Sequence, residues 1–387
     1  MKPPIVPNIP LSEPFLKGNE WQYLKDCIDS GWISTNGSLI KKFEDSIAKI
    51  VNRKYAIATT NGTSALHISL VALGIQPCEE IIAPTLTFIA PINAISYCRA
   101  TPVFMDCDPK TLCLDVEKLS AFIKSQTIQK KDGGTYNKLT GKRLRAIIPV
   151  HIFGHPVDMN PLLEICEKKN IIVIEDACES LGSTYNKQQT GSMGEVGCFS
   201  FNGNKIVTTG NGGMVVTDNE RLAIKIRHLS TQAKISHNEY DHDEIGYNYR
   251  LSNINAAIGL AQIEQLDEFI KIKRRIASIY KKELSQINSE ILWEMPWAKS
   301  NFWLNTLITS SKHKVNILNQ LLSKKIQARP IWKPIHTLPM YQHCQSFKIE
   351  NAQKLYASAI NLPSGTSLRN EEVNYILDKI KEYFKRA

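Results

Sequence analysis

Ile171-Ile-Val-Ile-Glu-Asp-Ala-Cys-Glu179 sets four apolar residues directly before two carboxylates, with a third three positions on. An apolar run this short and unbroken, without the alternation of a half-exposed strand, reads as a strand covered on both faces. Lys54 to Thr59, Ile81 to Pro84, Val103 to Asp106 and Ala146 to Ile152 are runs of the same kind, each followed by a turn or a helical stretch. Leu66, Leu70 and Leu73, widened by Ile68 and Val71, have the spacing of a helix that packs on the first of them. Strands alternating with helices predict an α/β fold with a mostly parallel sheet between helical layers.

The pattern changes after Asn255. Ile263, Leu266, Ile270, Ile276, Ile279 and Leu284 mark a long amphipathic helix, and short strands such as Trp303 to Ile308 then alternate with helices. We therefore expect a large domain over residues 1–255 and a smaller C-terminal α+β domain over 256–387. The hydrophilic stretch from Ser125 to Arg143, with Asp132-Gly-Gly and Leu139-Thr-Gly, reads as an excursion or hairpin within the first.

Composition narrows the class. The 387 residues are 43% hydrophobic and 22% charged, enough to bury a large core. The start, MKPPIVPNIPLSEP, has no apolar signal core, and no run approaches the ~18 apolar residues of a membrane span. A cytoplasmic protein without a membrane partner is the expectation. The nine cysteines are scattered, with no CxxC pair, so free thiols are expected, Cys98 and Cys198 as small buried hydrophobes. A formal net charge of +10 admits nucleic acid, a membrane surface or phosphorylated small molecules. No nucleic-acid motif accompanies it, and the basic clusters, such as Lys271 to Arg275, read as solvated helix faces.

In an open parallel sheet ligands bind beyond the carboxyl ends of the strands. After the first strand, Asn61-Gly-Thr-Ser64 opens a helix; it is either an ordinary N-cap or a phosphate cradle made of N–H groups and hydroxyls. Thr85-Leu-Thr-Phe88 ends the second run with an aromatic that could pack in the core or stack on a flat ring. Asp176 and Glu179 could cap a helix, ligate a metal or hold a protonated heterocycle, and no histidine with ligand spacing supports the metal. Between Val196 and Thr217 the only formal charge is Lys205, placed among phenylalanines, glycines and small polar residues. Lysine in such company suits Schiff-base chemistry better than solvation. A phosphate, a flat ring, a ring nitrogen that works protonated and an aldehyde belong together in pyridoxal 5′-phosphate (PLP).

The motifs NGTSALH, PTLTFIAPINAI, EDACESLG, FSFNGNKIVTTGNGGMVVTD and GYNYRLSNINAAIGLAQ follow one another in that order. Together they resemble the nucleotide-sugar aminotransferases of the fold-type I, aspartate aminotransferase-like PLP architecture, from Pro10 through the RPIWKPIH segment. PVHIFGHPVDM and SFNGNK resemble the legionaminic acid and bacillosamine branch in particular. The resemblance implies that Lys205 carries the cofactor and moves the proton, and that Asp176 keeps the ring nitrogen protonated. Phe88 would stack on the ring, Glu179 would lie near its phenolic oxygen, and Thr63, Ser64 and Ser200 would bind the phosphate. Asn248 and Arg250 would reach the phosphate of a neighbouring subunit, giving a homodimer with shared sites. Trp332 and His336 would help shape the sugar-nucleotide site.

The implied reaction moves an amino group, with glutamate as donor, to a UDP-linked 4-keto-6-deoxy sugar bearing a 2-acetamido group, as in cell-surface glycan and nonulosonic acid precursors. GDP-4-keto-6-deoxymannose, yielding perosamine, is the alternative acceptor. Two rival classes remain. Sugar dehydratases of the same fold carry histidine in place of the lysine, and Lys205 argues against them. A noncatalytic PLP-fold binding protein would not need the complete cofactor set.

Overall fold

The computed structural model describes residues 8–235, 240–285, 287 and 289–386; the Met1–Pro7 start lies outside them. Among the described residues the main element is an eight-stranded sheet. Its strands are β1 (Tyr55–Thr59), β2 (Glu80–Pro84), β3 (Thr101–Met105), β4 (Leu144–Ile147), β5 (Ile172–Asp176), β6 (Val196–Ser200), β7 (Gly213–Thr217) and β8 (Ser346–Phe347). They lie in the order β1-β7-β6-β5-β4-β2-β3-β8. Only β7 runs against its neighbours, pairing antiparallel with β1 and β6, while the other adjacent pairs are parallel. The strand interiors are buried on both faces, by one cluster around Ile82, Val103, Ile147 and Val173 and another around Ile57, Ile81, Ile174 and Val215. The unbroken apolar runs are thereby explained.

Two boundaries differ from the expectation. The run from Ala146 to Ile152 is strand only to Ile147; Pro149 cannot donate to a ladder, and Ile152–Gly154 form a 3-10 turn with Phe153 at φ 54°. Ile263 belongs to its own helix, Asn253–Ile263, which ends just before the Leu266–Leu284 helix begins. The apolar spacing continues across the break, which carries neither glycine nor proline to signal it. The excursion at 125–143 is a hairpin, with Thr127–Gln129 antiparallel to Thr135–Asn137.

Beyond the Leu266–Leu284 helix the chain builds a four-stranded sheet in which Asn305–Ile308 and Ala359–Leu362 pair antiparallel. Its core is Tyr280, Leu307, Ile317, Ile360 and Ile376 with their neighbours. β8 returns from this part of the chain to the edge of the large sheet. All nine cysteines are free, and among the described residues no helix is long and apolar enough to cross a membrane.

Candidate active site

The carboxyl ends of β1, β2, β5 and β6 open onto one cavity of about 660 Å³, closed on its other side by Trp303, Ile331, Trp332, Tyr356 and Asn361. Parallel strands put their turns on the same edge, so residues far apart in sequence converge there.

Asp176 ends β5 at the cavity wall and is 4% exposed. Its Oδ1 accepts the N–H of Cys178 at 3.1 Å, and burial raises its carboxyl above the ordinary range, against the pull of Cys178 and Lys205. Glu179 follows on the same turn. Burial pushes its carboxyl up to about 7, although Lys205 and the N–H of Phe153 both favour the charged form. That N–H donates to Glu179 Oε2 at 2.8 Å. It is aimed by the left-handed backbone of Phe153, a conformation uncommon for bulky residues.

Behind the pair lies a third acid. Glu175 accepts the N–H groups of Gly191, Met193 and Gly194 and faces His151 Nε2 at 2.9 Å. Burial alone would raise it, but the His151 contact and the backbone donors bring it below the ordinary range. His151 Nδ1 accepts from the N–H of Val157, which leaves Nε2 to carry the proton toward Glu175. The two adjacent carboxylates of the motif thus face different partners: Glu175 is held in the interior and Asp176 lines the cavity.

Lys205 lies on the turn after β6. Its Nζ is 3.4 Å from Glu179 Oε1 and 3.8 Å from the centre of the Trp303 ring. The side chain is only 12% exposed. An amine held this way, between a carboxyl and an aromatic face, is restricted in direction and shielded from water.

Thr63 and Ser200 line the cavity beside Gly62. Gly62 begins the Gly62–Ala72 helix, whose N-cap is Asn61, with Oδ1 accepting the N–H of Ser64 at 2.8 Å. A Cβ on Gly62 would meet Ser200 Cβ at 2.8 Å and Cys178 Sγ at 2.9 Å, so the helix start can press against β6 only with glycine there. The N-cap reading of Asn61-Gly-Thr-Ser64 is what the structure shows, and the same cap presents the helix N-terminus to the cavity. Ser64 is buried, its hydroxyl accepting from Thr60 Oγ1 at 3.1 Å, and does not line the cavity.

Phe88 is 53% exposed and lines the cavity with its ring 5.9 Å from that of Trp332. Trp332 in turn packs on Phe153 at 4.7 Å. His336 stands apart from the cavity lining, its Nδ1 2.7 Å from Thr85 Oγ1 at the end of β2. Asn248 and Arg250 are exposed; Arg250 bridges Thr59 at the end of β1, Asn248 bridges Thr231, and neither lines the cavity of its own chain.

Sequence reading missed Trp303, Asn361 and Tyr356. Trp303 was expected at the start of a strand but sits in the turn before Asn305–Ile308, and no local pattern marks it as a cavity residue. Thr87 offers the cavity a further polar group: its hydroxyl is buried at the wall without a hydrogen-bond partner among the described residues. A helix N-terminus with hydroxyls, an exposed aromatic, a buried acid and a shielded amine suit a phosphorylated aromatic aldehyde.

The DegT/DnrJ/EryC1/StrS aminotransferase family matches residues 14–381. GDP-perosamine synthase of Escherichia coli O157:H7 is 42% identical over 377 residues, covering 97% of this chain and 98% of that protein. GDP-perosamine synthase of Caulobacter vibrioides is 37% identical, covering 96% and 97%. The crystal structure of a DegT DnrJ EryC1 StrS aminotransferase from Brucella abortus superposes with a TM-score of 0.86 at 26% identity, over 95% of each chain.

Proposed function

The chain belongs to the DegT/DnrJ/EryC1/StrS aminotransferase family and is a PLP-dependent sugar aminotransferase of nucleotide-sugar metabolism; from that premise we propose that it aminates GDP-4-keto-6-deoxymannose to GDP-perosamine, with glutamate as donor. The motifs favour a UDP-linked acetamido sugar. Relatives named GDP-perosamine synthase at 42% and 37% identity over nearly the whole chain weigh more, because they compare the entire pocket rather than a few turns. We place the enzyme in the cytoplasm, where nucleotide sugars are made, as a homodimer whose Asn248 and Arg250 serve the neighbouring subunit.

The observation that carries the aminotransferase reading is the meeting of Lys205, Glu179 and Asp176 at one cavity wall. Bound PLP supplies an aldehyde for the amine and a ring that accepts electrons from the carbon losing its proton. Thr63, Ser200 and the N–H groups that open the Gly62–Ala72 helix would bind its phosphate, and Gly62 allows the helix start to sit close to Ser200. Phe88, exposed in the cavity, would cover one face of the ring. Asp176 would hold the proton on the ring nitrogen: its carboxyl is raised by burial, and a cation set against it would favour the ionised form. Lys205 Nζ would take and return the proton at the reacting carbon. Trp303 and Glu179 restrict where that amine can swing. Trp303, Trp332 and Tyr356 form the apolar wall that excludes water from the acceptor side.

The test offers the PLP-loaded protein glutamate with GDP-4-keto-6-deoxymannose or with the UDP-linked 2-acetamido-4-keto sugar, and follows the amino sugar by mass spectrometry. Amine is expected on the GDP sugar. Amine on the UDP sugar alone, or on neither, overturns the acceptor while leaving the aminotransferase reading in place.

A further inference from the structure

Lys273, on the Leu266–Leu284 helix, is buried to 1% exposure and has no carboxylate within ion-pair distance among the described residues. Burying an unpaired ammonium costs several kcal/mol, and methionine would fill the same volume without that cost. The position needs an explanation.

Its hydrogen bonds supply one. Lys273 Nζ donates to the carbonyl of Ser364 at 2.7 Å and to that of Trp303 at 3.1 Å. These carbonyls lie just outside two paired strands, Asn305–Ile308 and Ala359–Leu362, at the end where Asn305 faces Leu362 and the ladder stops. Ser364 Oγ donates to the same Trp303 carbonyl at 2.9 Å. Burial pushes the Lys273 amine down to about 7, and either protonation state offers at least as many N–H groups as there are carbonyls to satisfy.

On its other side Trp303 reaches the catalytic turn. Its Nε1 donates to the Asn204 carbonyl at 2.7 Å, and its ring lies 3.8 Å from Lys205 Nζ. The backbone N–H of Trp303 is held by Asn301 Oδ1, and Asn301 Nδ2 donates to the carbonyl of Glu179 at 3.1 Å. One short turn therefore touches the residues that carry both Nζ and the carboxyl beside it.

We propose that Lys273 is a positioning residue for the Lys205 centre, holding the carbonyl of Trp303 so that the indole covers the Lys205 amine and fixes the Asn202–Lys205 turn. It acts from outside the cavity, through one backbone oxygen. The proposal rests on Lys205 being the residue that takes the cofactor.

The experiment uses the full-length protein, freed of cofactor and reloaded with PLP, comparing wild type, Lys273→Met, Trp303→Ala and the double variant. Cofactor fixed on the Lys205 peptide by borohydride is measured by mass spectrometry at timed intervals, and kcat and KM are measured in parallel. Lys273→Met is expected to slow capture and kcat about tenfold with KM nearly unchanged, because the reacting amine is misplaced rather than the sugar lost. In the Trp303→Ala background the same change should cost almost nothing further, as two steps on one path are not additive. Lys273→Arg should recover part of the loss. Equal losses with and without Trp303, or none at all, overturn the proposal. If Lys273→Met melts without cooperativity, Ser364→Ala, which deletes one donor to the same carbonyl, carries the comparison, and unchanged capture there overturns it equally. Wild-type protein that fixes no cofactor on Lys205 overturns the functional reading together with this one; wild type and Lys273→Met capturing equally fast overturn this one alone.

Discussion

Asp176 and Glu179, three positions apart on one turn, are both raised by burial, but the cavity uses them differently. In the role we propose for it, Asp176 is ionised to hold a ring proton. Asp176→Asn should therefore still bind PLP while kcat falls about a hundredfold or more, since a neutral amide cannot stabilise the charged ring; turnover at saturating substrate measures it, and wild-type turnover would refute the role. Glu179 makes a prediction in the cofactor-free protein. Its folded value of about 7 lies above the ordinary 4.5, so the unfolded chain ionises first and the stability Glu179 contributes, whole below pH 4.5, is lost as pH rises to 7. Glu179→Gln lacks this loss. Urea unfolding should show the variant gaining on wild type from pH 4.5 to 7, and a difference constant with pH would sink the assignment. Sequence alone marked both acids. It could not rank them, because the ranking depends on the Phe153 N–H and the Lys205 amine, which other segments deliver.

Among the elements, the Gly62–Ala72 helix and β6 meet most tightly. Gly62→Ala places a methyl 2.8 Å from Ser200 Cβ, a contact that neither backbone can relieve by rotating a side chain. The helix start should back away from β6, and PLP affinity, measured by equilibrium dialysis, should fall about tenfold while the thermal transition stays cooperative. The Leu266–Leu284 helix gives a prediction of opposite sign to that of Glu179. Lys273 falls from 10.5 to about 7, so the stability it contributes is whole above pH 10.5 and lost as pH falls toward 7. Wild type should gain on Lys273→Met between pH 7 and 10 in urea melts. The periodicity announced this helix and its apolar face. Lys273, within a basic run that reads as solvated, lies on the buried side instead, and only the packing of the small sheet against the helix decides that.

At the scale of the whole molecule, Trp21 at 77% exposure, Trp32 at 55% and Tyr97 at 56% stand out on one chain. Large exposed aromatics suit a surface that another copy covers. We propose a homodimer in which Asn248 and Arg250, outside their own cavity, complete the partner's. Mixing Lys205→Ala with Arg250→Ala should then restore about a quarter of wild-type activity through hybrid dimers with one intact site. A fully active monomer in sedimentation would rule it out. We also propose the division into two units near residue 255, with β8 crossing back to the large sheet.

The sequence by itself determined what depends on local composition and order. Unbroken apolar runs between helical periods require a doubly covered sheet, and the turns after those runs share its carboxyl edge. Tertiary structure alone decided what depends on burial and on distance between remote residues. Trp303 reaches the Asn204 carbonyl across 99 positions, and Lys273 is buried by segments that follow it in the chain. A carboxyl at about 7 and an amine at about 7 are both consequences of removing charge from water, and no stretch of sequence encodes how much water its neighbours will exclude.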